Sequence, residues 1–134
     1  MILRTVAVAA AVLMVSSSPA LANPLVSSWG PIYSADRAGK AKGKVVRDRP
    51  GSVVNGKLYD FPGREGCSWL TFRWVTDKGV KKHKTYHNCS GTKPLAFSLK
   101  VGYVVSIDGR LCRGTGAKAT GRCSTWKKVG AQGG

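Results

Sequence analysis

Apolar and polar side chains alternate along most of this chain with the two-residue period of a strand. In Cys67-Ser68-Trp69-Leu70-Thr71-Phe72-Arg73-Trp74-Val75, Leu70, Phe72 and Trp74 fall on one face, the expected core face. Trp69, Thr71 and Arg73 fall on the other. Asp77-Lys78-Gly79 reads as a turn, and Val80 to Cys89 as the returning strand. Pro94 to Val101 repeats the pattern, with Leu95, Phe97, Leu99 and Val101 set against Ala96, Ser98 and Lys100. Gly102 interrupts it, Tyr103 to Ile107 resumes it, and Asp108-Gly109 marks a turn or a bulge. Ser124 to Val129 is the last predicted strand. Earlier in the chain, Lys44 to Arg47 is a candidate strand and Arg49-Pro50-Gly51 a turn signal. Asn55-Gly56 then separates Val53-Val54 from Lys57 to Phe61. Asn-Gly in that setting predicts a hairpin. The alternative is a continuous strand bulged at Gly56. With no helical periodicity of useful length, six or seven short strands at regular spacing predict an all-β domain. Its expected form is a small antiparallel sandwich or barrel-like domain.

The first residues break this pattern. Arg4 precedes the uncharged apolar run Val6 to Val15, and Ser16-Ser17-Ser18-Pro19 leads into Ala20-Leu21-Ala22. A basic start, an apolar middle and an A-x-A ending are the parts of a secretory signal peptide. Cleavage is expected after Ala22. The run is shorter than the ~20 apolar residues that span a bilayer, so no stable membrane anchor is expected. Residues 23–42, rich in Ser, Ala, Gly and Lys and broken by Pro24 and Pro31, read as a poorly structured lead-in. The alternative is a lead-in strand docked onto the core by Trp29, Ile32 and Tyr33. The β domain is expected over 43–129, with residues 130–134 as a disordered Gly-rich tail.

Four cysteines, an even number in an exported chain, predict two disulfides. Their spacing is far wider than the close pairs of structural zinc sites. Four cysteines allow three connectivities. Sequential pairing, Cys67–Cys89 and Cys112–Cys123, is expected because each bond then closes a local strand–loop–strand unit. Cross-links matter at this size, since a core of about 100 residues is small. Each is worth about 3 kcal/mol in the chain-entropy model.

The chain carries 22 Lys and Arg against 6 Asp and Glu, a formal net charge of +16. Loss of the leader removes only Arg4 from that excess. Such a charge gives a positive surface potential that attracts anionic polymers. The candidate binding residues are Lys81, Lys82 and Lys84 on the Val80–Cys89 strand, and Arg110, Arg113, Lys118 and Arg122 around the glycine-rich loop. Arg73, Trp69 and Trp126 add a charge and flat faces for stacking on bases or sugars. The run Lys40-Ala41-Lys42-Gly43-Lys44 reads as a solvated arm.

No catalytic constellation accompanies the charge. His83 and His87 lack the Glu of a zinc-protease helix motif, and in a strand their rings would stand about 13 Å apart, beyond one metal ion. Neither a metal nor a cofactor is therefore expected. No two carboxylates form a recognisable acid–base pair, and Gly114-Thr115-Gly116 lacks the rest of a phosphate loop.

Trp29-Gly30-Pro31, Gly43-Lys44-Val45-Val46, Gly56-Lys57-Leu58-Tyr59-Asp60, Cys67-Ser68-Trp69, Asn88-Cys89 and the Cys112…Cys123 pair resemble small secreted β-rich proteins of actinobacteria. That resemblance implies export and a β fold and brings no activity with it. The expected function is that of a secreted, extracellular, monomeric, non-enzymatic module. Its partner is an anionic polymer (cell-wall polymer, nucleic acid or polysaccharide) or an extracellular protein. One alternative is a basic secreted nuclease built on Glu65, a histidine and arginines. A second is an inhibitor-like protein presenting the Arg113–Arg122 loop.

Overall fold

A computed structural model describes residues 25–48 and 50–131. Nine strands and no helix lie among them: β1 (Leu25–Tyr33), β2 (Gly39–Asp48), β3 (Gly51–Asp60), β4 (Cys67–Thr76), β5 (Lys81–Asn88), β6 (Leu95–Gly102), β7 (Val104–Gly114), β8 (Ala119–Gly121) and β9 (Lys127–Ala131). They form two antiparallel sheets. One runs β1-β2-β3-β6, the other β5-β4-β7-β8, with β9 also paired to β7.

The predicted core face is the observed one. Leu70 and Phe72 are fully buried and Trp74 nearly so. Across from them lie Trp29, Val45, Val54, Leu58 and Phe97 of the first sheet, and Ile107, Leu111 and Val129 of the second belong to the same cluster. Phe72 packs on both Trp29 and Phe97, with ring centroids 5.5 Å from each, and those two rings are 6.1 Å apart. β6 passes into β7 through Tyr103 alone, and Gly102 takes the positive φ (70°) that turns the chain from one sheet to the other. Both disulfides pair as expected, Cys67–Cys89 and Cys112–Cys123.

Several local expectations are corrected. The lead-in expected to be poorly structured contains β1 and the first residues of β2. Only Trp29 and Ile32 of β1 are buried, so its apolar pattern is faint. The strand is held by long-range backbone pairing to β2, Leu25 opposite Arg47 through Tyr33 opposite Lys40. Asn55-Gly56 is no hairpin turn, because β3 continues through it without a register shift against β2. The chain reverses one signal earlier, where Asp48 pairs with Gly51. Gly43 and Gly56 stand opposite each other, and a Cβ on Gly56 would come within 2.7 Å of Trp29 Cζ2. Glycine is there to seat an indole. Asp108-Gly109 lies inside β7, and the register shift next to it leaves Val129 of β9 unmatched. The last strand starts at Lys127 rather than Ser124 and takes in Gly130 and Ala131 of the expected tail. The proposed leader and residues 132–134 lie outside the described residues.

Candidate binding face on the second sheet

Strand register decides which predicted binding residues can act together. On β4, Trp69, Thr71 and Arg73 alternate with the buried Leu70 and Phe72 and point to solvent. β5 places His87 beside Trp69, Thr85 beside Thr71 and His83 beside Arg73. On the other flank β7 places Cys112, Arg110 and Asp108 beside the same three residues. Three cross-strand rows result on one face. Trp69 and His87 stack with centroids 4.5 Å apart and planes inclined by 14°. Thr71 and Thr85 join their hydroxyls at 3.0 Å. Arg73 pairs with Asp108 at 3.5 Å.

Trp126 comes from outside the sheet. Cys112 faces the solvent side of β7, so its bond to Cys123 draws the following segment across that face. Ser124 fixes it further: its amide donates to the Leu111 carbonyl (2.8 Å), and its hydroxyl accepts from the Leu111 amide (3.1 Å). Two residues later Trp126 lies over both arginines, 3.9 Å from the Arg73 guanidinium carbon and 4.6 Å from that of Arg110. Such contacts are worth about 0.5–1 kcal/mol each when exposed. The Arg73 Nε edge is turned to Asp108, so the face-stacked guanidinium keeps its Nη edge for an anion lying in plane. The Trp69 indole donates to the Thr115 carbonyl at 2.7 Å, which docks the turn carrying Lys118 against the same end of the face.

Trp69, Arg73, Arg110 and Trp126 are therefore brought together, with Lys81 continuing the face opposite Val75. Lys118 rides on the turn docked at the Trp69 end, whereas Lys82, Lys84, Arg113 and Arg122 lie elsewhere. Lys82 and Lys84 stand opposite Trp74 and Phe72 on β5, so they leave this exposed edge strand on its other side. Lysines in such a position also block edge-to-edge pairing. Arg122 is exposed but belongs to an ion pair with Asp36 (3.4 Å) at the β8 end.

Arg113 is not a surface residue. It is 4% exposed and shares the inward side of β7 with Ile107 and Leu111. Its Nη1 donates to Asp60 Oδ1 at 2.5 Å and to Ser68 Oγ at 2.8 Å, and its Nη2 donates to the Glu65 carbonyl at 2.8 Å. Asp36 approaches its Nε at 3.6 Å. The expected loop Arg113–Arg122 is thus anchored at its first residue inside the protein, and its later part pairs back onto β7 as β8. Asp36 sits in the β1–β2 turn, where Oδ1 accepts from the Ser34 hydroxyl (2.6 Å) and the Ala38 amide (3.1 Å). Burial raises the Asp36 carboxyl. The bonds from Ser34, Ala38 and Arg122, with the charge of Arg113, outweigh burial and hold its pKa below the ordinary carboxylate value.

His83 and His87 face solvent on either side of Thr85, and no group of three or more His, Cys, Asp or Glu positioned to hold a metal ion occurs among the described residues. No family model matches the chain, nor does any curated protein or solved structure.

Proposed function

We propose that the chain is a small secreted cationic protein that binds an anionic polymer across the solvent face of the β5-β4-β7 sheet. The observation that carries the reading is the placing of Arg110 and Arg73 on Trp126, one and two rows from the Trp69–His87 stack. Guanidinium groups would meet phosphate, sulfate or carboxylate, and the aromatic faces would take bases or sugar rings. The face is built on paired strands and tied by a disulfide, so little ordering cost falls on binding. Export with cleavage after Ala22 belongs to the same proposal. Two disulfides are consistent with an oxidising compartment, and no helix among the described residues is long and apolar enough to cross a membrane.

The test is a salt titration of binding to duplex DNA and to teichoic acid, with Arg73→Gln/Arg110→Gln beside the unaltered chain. For the DNA, log affinity should fall linearly with log salt, and the double variant should lose about 1.8 from the slope, since each phosphate contact contributes about 0.9. No binding of either polymer at low salt would refute the proposal, and an unchanged slope would refute the choice of face. Degradation of RNA by the purified protein, abolished by changing Glu65 or His87, would instead favour a nuclease.

A further inference from the structure

The solvent face of the other sheet holds a second charged feature. A depression of about 690 Å³ opens along β1, β2 and β3. Its volume falls within the range of small-molecule sites. Three lysines line it, Lys42, Lys44 and Lys57, and no carboxylate does. Lys42 and Lys57 stand directly opposite each other across the β2–β3 pair. Like charges so placed destabilise a sheet, a cost that a bound anion would remove. The rest of the lining is largely apolar or without side chains: Pro31, Val46, Tyr59 and the Gly43–Gly56 pair. Trp29, whose indole donates to the Asn55 carbonyl at 3.1 Å, stiffens the strands from the core side.

We infer that this groove binds a small organic anion with a flat apolar body, the body lying over the Gly43–Gly56 pair beside Pro31 and the anionic group between Lys42 and Lys57. The ligand differs in class from the polymer proposed for the opposite sheet, and the site shares no residue with that face.

The probe is 8-anilinonaphthalene-1-sulfonate, with uncharged N-phenyl-1-naphthylamine as its partner, followed by amide chemical shifts of the full chain. Saturable binding should shift the amides of Lys42, Gly43, Gly56 and Lys57, and the uncharged compound should bind at least tenfold more weakly. Lys42→Gln/Lys57→Gln, both exposed positions, should lower affinity for the sulfonate about tenfold. Ser28→Trp should reduce it by filling the groove while keeping every charge. Lys81→Gln and Arg73→Gln/Arg110→Gln should leave it unchanged, which separates this site from the polymer face. Equal affinity for the two compounds would overturn the anion requirement. Shifts confined to β4, β5 or β7, or full binding by Ser28→Trp, would overturn the site.

Discussion

Replacing Arg113 by methionine separates a structural arginine from a binding one. The change keeps most of the side-chain volume and removes the guanidinium. Three donated bonds are lost, to Asp60, Ser68 and the Glu65 carbonyl. The Asp60 side chain is 3% exposed, so its carboxylate cannot turn to water for compensation. Removing one partner of a buried pair costs about 3–5 kcal/mol, most of it from the charge left behind. Against a typical domain stability of about 5–15 kcal/mol, that is more than half of the total in a marginal case. In urea at pH 7, with disulfides intact, the midpoint should fall steeply while the slope of the transition stays constant.

The double variant Arg113→Met/Asp60→Leu distinguishes causes. If the single change is costly because it strands a carboxylate, removing that carboxylate as well should recover part of the loss, since apolar replacements of buried ion pairs are often neutral or better. Ser68 limits the recovery, because its hydroxyl bonds both Asp60 Oδ1 and the Tyr59 carbonyl and keeps only the second. A loss under about 1 kcal/mol for Arg113→Met, the range of exposed pairs, would refute the buried network. So would a double variant less stable than the single. Weaker polymer binding at unchanged stability would return Arg113 to the binding face.

Asp36→Asn should cost about 1 kcal/mol at pH 7, because Asn keeps an acceptor for Ser34 and Ala38 but loses the charge facing two arginines, one of them mostly exposed. A carboxyl whose pKa is depressed by folding stabilises above its unfolded value, about 3.9, and stops doing so as pH falls through the folded value. The stability gap between Asp36→Asn and the unaltered chain should therefore close at low pH in melts run from pH 7 to pH 2, and a gap that widens on acidification would contradict the assignment. Gly56→Ala should cost about 1–3 kcal/mol, since the new Cβ would lie 2.6 Å from the Lys42 carbonyl oxygen, 2.7 Å from Trp29 and 2.9 Å from Phe97. Gly116→Ala, whose Cβ would meet only Cys89 Sγ at 3.9 Å, should stay within about 0.5 kcal/mol. Equal melting temperatures for these two variants would remove the packing explanation for Gly56.

Strand alternation carried much of this structure in the sequence, and where a reading went wrong it was often a pattern stopped too soon. Ile107 and Leu111 lie on one side of β7, and counting two residues further puts Arg113 on that side. Treating the segment from Arg113 as a basic loop hid this. The same count along β5 separates Lys81 and His83 from Lys82 and Lys84. Other features have no local signature. β1 takes its conformation from pairing with β2, and two buried side chains in Leu25–Tyr33 do not make a period. Asn55-Gly56 has the local chemistry of a turn, but packing of Trp29 and Phe97 over Gly56 draws it into a strand. Tertiary packing outweighs a turn preference wherever a large aromatic needs a position without a side chain.

The position of Trp126 shows why charge counting alone could not find the candidate face. Nothing in Ser124-Thr125-Trp126 says where the indole will lie, because the segment is outside the regular strands. Its place follows from three constraints of different range. β7 must present Cys112 outward, which alternation from the buried Leu111 requires. Cys123 must then cross to it, and Ser124 must close two hydrogen bonds on Leu111. Only then does the ring reach Arg110 on the same strand and Arg73 on the neighbouring one. The disulfide that stabilises the domain is thus also the device that assembles its aromatic and cationic groups. An uncoupled Trp126 would leave Arg73 and Arg110 on the sheet without the ring that both contact, and the Trp69–His87 stack as the remaining aromatic surface of the face.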